Sequence, residues 1–259
     1  MKRIMLKVAY DGTDYCGWQI QPRDKTIESE LNKHLSSLLQ EDIRVIGASR
    51  TDSGVHALSN IAVFDTNARM DAAKVAHALN QRLPSDIRIQ ESREVPLTFH
   101  PRHCNSKKTY EYRIYNAPFE NPITRRYAYF VYVPLDLDRM RRAASYLIGE
   151  HDFKSFCVAK AKVLSTVRTI YDIRIEKQGD YISIFVSGNG FLFNMVRIIV
   201  GSLVKVGRGA WEPEYIEEIL ASRDRQKAGP TAPANGLTLY SYEFEDDITN
   251  GNGFSADFG

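Results

Sequence analysis

The stretch Arg50-Thr51-Asp52-Ser53-Gly54-Val55-His56-Ala57 lies between two short apolar runs, at residues 43–47 and 60–64. Both runs are predicted strands, and the Ser-Gly pair favours a turn between them. The pattern therefore predicts a loop that presents the carboxylate of Asp52 next to Arg50. A loop aspartate on a rigid sheet can serve as a nucleophile or base, but an Asp before Ser-Gly can equally cap its own turn.

The strands and helices predicted around this loop follow an order that recurs in known folds. Alternating apolar residues predict strands over residues 3–10 and 87–95. A helix is predicted after the N-cap residue Thr26, and a second helix over residues 71–82. The order strand, helix, strand, strand, helix, strand is that of the ferredoxin-like unit.

The second half of the chain repeats this order with one additional helix. Its strands are predicted at 109–115, 167–176, 181–187 and 238–244, and its helices at 137–148, 191–206 and 213–222. We therefore predict an α+β fold with two ferredoxin-like (RRM-like) halves, residues 1–104 and 105–246. Their mainly antiparallel sheets are expected to join around a central cleft. Residues 247–259 are rich in Asn, Gly and Asp, and we expect them to be disordered.

Composition predicts a soluble protein of the cytoplasm. Hydrophobic residues make up 43% of the 259 residues and charged residues 25%. The three cysteines, Cys16, Cys104 and Cys157, form no CxxC pair, which favours a reducing compartment. Neither the N-terminus nor the apolar stretch 191–206 fits a signal peptide or a membrane span.

The charges are segregated, although the net charge is only +2. Residues 102–126 contain six Lys or Arg and two acidic residues, and residues 154–174 contain five and one. Such runs slightly favour a polyanionic partner, but they also occur on ordinary solvated surfaces.

Arg197 is a second candidate site residue, because it lies within an apolar helix. A buried guanidinium needs a partner, and a carboxylate can bind it through two hydrogen bonds. Arg197 would then pair with an active-site acid from the other half of the chain. The alternative is a side chain that extends from the helix edge into solvent.

Tyr110 is a third candidate, because it lies where tyrosines alternate with Lys107, Lys108 and Arg113. Such a strand can stack on bases and bind phosphates, or its tyrosines can line a core. The spacing of His100, His103 and Cys104 does not fit a closed zinc site, and neither a P-loop nor a GxGxxG motif occurs. We therefore predict no metal site.

Taken together, the motifs closely resemble those of the TruA family of tRNA pseudouridine synthases over residues 3–245. The motifs that carry the resemblance are Tyr10-Asp11-Gly12-Thr13 through Gly17-Trp18-Gln19, Ser49 to Ala57, Phe99-His100-Pro101-Arg102, Lys108-Thr109-Tyr110-Glu111-Tyr112, Gly149-Glu150-His151-Asp152-Phe153, and Asn194-Met195-Val196-Arg197 through Gly201-Ser202-Leu203.

The resemblance implies a cofactor-free isomerase that converts uridine to pseudouridine. Its targets would lie in the tRNA anticodon stem-loop, at roughly positions 38 to 40, with the base taken out of the stack. It also implies a homodimer that binds tRNA, with no membrane association. It makes Asp52 the nucleophile, Tyr110 the active-site tyrosine and Arg197 the partner of the aspartate.

Substrate binding is expected from residues near the loop and on the basic strand. These are Tyr110 together with Arg50, His56, Arg102, Lys107 and Lys108. Two other classes of protein are weighed against this expectation. One is a non-catalytic binder of structured RNA, and the other is a metal-dependent RNA hydrolase that uses Asp52, His56 and His100.

Overall fold

Alternating apolar side chains build the first strand, β1 (Lys2–Tyr10), and bury Ile4, Leu6 and Val8. The computed structural model describes residues 1–158 and 164–244 of the chain. Strand β1 pairs antiparallel with β3 (His56–Thr66) on one side and with β4 (Ile87–Val95) on the other. The short β2 (Ile46–Gly47) pairs with the other edge of β3.

Two helices complete the predicted order of the first hundred residues. Helix α1 (Ile27–Leu39) begins with a capping box, in which Thr26 and Ser29 each accept a hydrogen bond from the other's backbone N–H. Helix α2 (Ala72–Asn80) begins at Asp71, whose carboxylate accepts from the N–H of Ala73. The ferredoxin-like order of this half is therefore confirmed.

The second half contains more strands than the sequence predicted. The order β5 (Ser106–Asn116), β9 (Tyr181–Gly188), β8 (Val167–Gln178) and β7 (Gly149–Asp152) runs across its sheet, with antiparallel pairing between neighbours. The short β6 (Tyr129–Val131) runs parallel to β5. Strands β6 and β7 were missed, because three or four residues are too few to show a period. The α+β class with mainly antiparallel strands is confirmed.

Three helices accompany these strands, namely α3 (Leu137–Ser145), α4 (Met195–Gly207) and α5 (Tyr215–Ser222). Helix α4 begins four residues later than predicted, because Asn194 has a φ of 61° and cannot lie within a right-handed helix. Every residue of α4 is buried except Arg197 and Lys205, which are half-buried. Within the described residues, no helix is both long enough and apolar enough to cross a membrane.

The described residues divide into two compact units. One consists of residues 1–107 and 239–244, and the other of residues 108–158 and 164–238. The last strand, β10 (Leu237–Phe244), lies next to β3, so that most of it belongs to the first unit rather than to the second half as predicted. Tyr242 and Phe244 pack there against the core around Phe99. The predicted tail, residues 247–259, lies outside the described residues.

Candidate active site

The loop between β2 and β3 presents alternate residues to the solvent. Ser49 and Thr51 are buried, Arg50 is exposed and Asp52 is half-buried. A turn closes the loop, because the N–H of Val55 donates to the carbonyl of Asp52 at 3.1 Å. Asp52 is thus partly exposed and belongs to a backbone that is held on both sides.

Residues 11–18 pack against this loop and form backbone hydrogen bonds with it. The N–H of Trp18 donates to the Thr51 carbonyl at 3.1 Å, and the Tyr15 carbonyl accepts from the N–H of Gly54 at 3.2 Å. Gly17 has a φ of +80°, and a Cβ at this position would lie 2.5 Å from the Thr51 carbonyl oxygen. Only glycine allows the two segments to approach this closely.

His56 faces inward from the end of the loop and is 5% exposed. Its Nδ1 lies 3.1 Å from the backbone N of Gly12 and 3.1 Å from Oδ1 of Asp11. The Gly12 N–H can donate only to an unprotonated Nδ1, whereas an ion pair with Asp11 requires the protonated ring. In either state, His56 ties the loop to the turn after β1.

Two arginines of the first unit lie close together near the loop. Nε of Arg102 donates to the Gly47 carbonyl at 2.8 Å, which fixes the direction of its guanidinium. Burial lowers the pKa of Arg102, and the positive charge of Arg50 lowers it further. Because the two positive charges repel each other, the pair favours binding of an anion, which offsets the repulsion.

Tyr110 lies on β5 in the second unit, opposite Val186 of β9, and is 8% exposed. Its ring meets the ring of Phe191 edge to face, with centroids 5.2 Å apart. An aromatic pair of this kind restricts the orientation of the tyrosine ring.

Arg197 is tied to the segment that precedes β10. Its Nε donates to the Ala232 carbonyl at 2.7 Å, and its Nη1 donates to Oδ1 of Asn194 at 2.8 Å. The N–H of Ala232 in turn donates to the Arg197 carbonyl at 3.1 Å. Burial raises the pKa of the nearby Tyr112 phenol, and the charge of Arg197 acts in the opposite direction.

Residues 7–103 and 143–245 match a family model described as tRNA pseudouridine synthase. The chain belongs to the tRNA pseudouridine synthase family. It is therefore an enzyme of the isomerase class, and the predicted family resemblance is confirmed.

Similar proteins align over most of their length with this chain. A tRNA pseudouridine synthase A from a Thermoanaerobacter species is 46% identical over 239 residues, which cover 92% of this chain and 98% of that protein. The protein of the same name from Brevibacillus brevis is 48% identical over 240 residues, which cover 93% and 98%. A tRNA pseudouridine synthase A 2 from Clostridium tetani is 49% identical over 240 residues, which cover 92% and 97%.

In this member of the family, the predicted site residues are distributed over both units. Arg50, Asp52, His56 and Arg102 belong to the first unit, and Tyr110 and Arg197 belong to the second. Lys107 is half-buried in the first unit, 3.7 Å from Oε2 of Glu243, and Lys108 is half-buried in the second.

Two polar residues that sequence reasoning did not single out lie directly beneath the Asp52 loop. Asn60 is fully buried and Tyr10 is 4% exposed, and both form hydrogen bonds with loop residues. The sequence did contain a signal for this pair, namely the asparagine within the apolar sequence of β3. A buried side-chain amide needs hydrogen-bond partners, and a search for them would have led to the neighbouring polar residues.

Two histidines that were weighed as metal ligands stack against each other. The ring centroids of His100 and His103 are 4.0 Å apart. Within residues 1–158 and 164–244, no three or more His, Cys, Asp and Glu side chains are grouped so that they could hold a metal ion.

Proposed function

We propose that this protein converts uridine to pseudouridine in the anticodon stem-loop of tRNA, at roughly positions 38 to 40, with the target base taken out of the stack. Family membership supports the reaction, and the names of the relatives support tRNA as the substrate. The observation that carries the proposal is a half-buried aspartate, Asp52, on a loop whose neighbouring residues are anchored.

The reaction rearranges one glycosidic bond without a change in oxidation state. The bond between C1′ and N1 breaks, the uracil rotates, and a bond forms between C1′ and C5. The C5 proton is lost and N1 gains a proton, so that atoms and electrons balance without a redox cofactor. The protein must supply a nucleophile, a proton acceptor and a pocket for the free base.

Asp52 supplies the nucleophile in this proposal. An ionised carboxylate is required, whether it attacks C6 or C1′ or assists a glycal intermediate. Arg197 is the proposed partner that keeps this carboxylate ionised, and its planar guanidinium suits that role. The hydrogen bonds of Arg197 to Ala232 and Asn194 support it, because they orient the guanidinium in advance.

Tyr110 is proposed to contact the uracil itself. A phenol beside the base can stack on it or accept the C5 proton. The edge-to-face packing against Phe191 supports this role, because a restrained ring loses little conformational entropy when the base binds.

RNA binding is proposed for residues of both units, with Arg50 and Arg102 as the main contacts of the first unit. Their mutual repulsion in the free protein supports this role, since a phosphate would relieve it. His56 contributes by holding the loop, and Lys107 and Lys108 contribute positive charge. We further propose that the protein acts as a homodimer in the cytoplasm.

The substitution Asp52→Asn tests this proposal, because it keeps the shape of the side chain and removes its charge. We expect it to fold and bind tRNA normally but to form no pseudouridine, as measured by tritium release from C5-labelled uridine in tRNA. Asp42→Asn is the control, because Asp42 is an exposed carboxylate elsewhere in the first unit. Release at the wild-type rate by Asp52→Asn would show that the protein acts by other chemistry or only binds RNA.

A further inference from the structure

A buried polar network lies beneath the loop that carries Arg50 and Asp52. Its members are Tyr10 of β1, Asn60 of β3, and the loop residues Ser49 and Thr51, which are 4%, 0%, 7% and 7% exposed. All four belong to the first unit. Ser49 takes part through its backbone, and the other three residues through their side chains. Buried polar groups that are hydrogen-bonded to one another restrict the local geometry, because a displacement leaves a group unpaired.

Asn60 binds both backbone polar groups of Ser49 through its side-chain amide. Its Nδ2 donates to the Ser49 carbonyl at 3.0 Å, and its Oδ1 accepts from the Ser49 N–H at 3.3 Å. The side-chain amide thus forms the two hydrogen bonds that a neighbouring strand would otherwise form with Ser49. These bonds fix the direction and the register of the chain just before Arg50.

Tyr10 holds the residue on the other side of Arg50. Its Oη lies 2.7 Å from Oγ1 of Thr51, and Nδ2 of Asn60 donates to the same Oη at 3.3 Å. Because Tyr10 accepts from Asn60, its own proton is available to donate to Thr51. Burial raises the pKa of Tyr10, so that the phenol keeps this proton.

The two anchors originate from the paired strands at the centre of the first unit. Val8 of β1 pairs with Asn60 of β3, and the register shifts between Val8 and Tyr10, which pairs with Ala57. An irregularity of this kind changes the direction in which the side chains of a strand point. Such irregularities are common next to functional sites. Here it lies directly beneath the loop.

We infer that Tyr10 and Asn60 are positioning residues for the reaction. Because these two residues hold residues 49 and 51 in the interior, Arg50 and Asp52 point outward. Tyr10 and Asn60 thereby set the distance between the guanidinium of Arg50 and the carboxylate of Asp52. This inference rests on the proposed function, since it takes Asp52 as the reacting group. Both residues are buried, so that they act on the reaction through residues 49 and 51.

A double-mutant cycle of Tyr10→Phe and Thr51→Val tests the inference. Each substitution removes one hydroxyl of the 2.7 Å pair and leaves the volume almost unchanged. We expect the single-turnover rate at saturating tRNA to fall by about 10-fold or more in each, because a shift of about 1 Å can cost about 100-fold. The Kd for tRNA should change by less than about 3-fold. The double variant should be no slower than the slower single variant.

Two further variants separate positioning from stability. Thr51→Ser keeps the hydroxyl and should restore most of the rate. Thr66→Val is the matched control, since Thr66 is a buried threonine on β3 whose hydroxyl donates to Glu41 at 2.7 Å, away from the loop. It should lower the Tm without slowing the reaction.

Wild-type rates in Tyr10→Phe and Thr51→Val with a lowered Tm would overturn the inference, as would losses that multiply in the double variant. If Tyr10→Phe does not fold, Thr51→Val and Thr51→Ser decide the question alone. Activity in Asp52→Asn would refute the proposed function instead, so that the two failures are distinguishable.

Discussion

At the scale of single residues, the neighbours of a charged group determine what it can do. Arg197 and Lys205 are the two half-buried cations of an otherwise buried helix, but a role in the reaction is proposed for Arg197 alone. Its guanidinium donates to Ala232 and Asn194, so that it supports the local structure in addition to its proposed role with Asp52.

We predict that Arg197→Met abolishes turnover and lowers the free energy of unfolding by about 3 kcal/mol, since it removes two hydrogen bonds to a charged group, each of which contributes at least about 1.5 kcal/mol. Arg197→Lys should also be slow, because an ammonium cannot reproduce the planar fork. Lys205→Met is the matched control and should retain the rate. Urea denaturation and single-turnover assays measure the two effects, and an active Arg197→Met would remove Arg197 from the reaction.

At the scale of elements, two segments that are distant in the sequence form one rigid support. Residues 11–18 contact the Asp52 loop mainly through their backbone, and this requires a glycine at position 17. The loop geometry thus depends on close packing of main chain against main chain, which tolerates no added methyl group.

We predict that Gly17→Ala slows the reaction by about 10-fold or more at saturating tRNA, because the new Cβ must displace Thr51 and Asp52. Gly209→Ala is the control, since Gly209 has a similar φ of +73° but no atom within 4 Å of the place that a Cβ would occupy. Both should lose about 1 to 2 kcal/mol of stability from the left-handed backbone, and Gly17→Ala should lose more. Equal rates in both variants would show that this segment does not set the loop geometry.

At the scale of the whole molecule, the distribution of charge matters more than its total. The net charge is +2, and basic residues gather in residues 102–126. Arg125 and Arg126 are exposed in the second unit. The two arginines are therefore expected to contribute to RNA binding.

We predict that Arg125→Gln with Arg126→Gln weakens tRNA binding and flattens the plot of log K against log salt by about 0.7 to 0.9 for each lost phosphate contact. Arg69→Gln with Arg82→Gln removes the same charge from exposed arginines outside this region and is the control. Equilibrium binding over a series of salt concentrations measures both slopes. Identical slopes for the two pairs would place the RNA on another surface.

The proposed homodimer is also a property of the whole molecule. Light scattering during gel filtration is expected to give about twice the chain mass of 29.5 kDa. A species that runs as a monomer at the assay concentration and is fully active would contradict the proposal.

The sequence by itself determined the local structure, because periodicity and caps act over a few residues. The order of strands and helices in the first unit, the N-cap at Thr26 and the burial of α4 around Arg197 were all predictable. The loop position of Asp52 was predictable too, since it lies between two apolar runs.

Only the tertiary structure decided which distant groups meet. The pairing of β10 with β3, the bond from Arg197 to Ala232 and the network of Tyr10, Asn60 and Thr51 join residues far apart in the chain. The sequence pattern of a strand does not determine which strand it pairs with, and a buried amide in the sequence does not reveal which group it binds. These choices follow from the packing of the whole unit, in which burial of a polar group is costly unless another group comes within hydrogen-bonding distance.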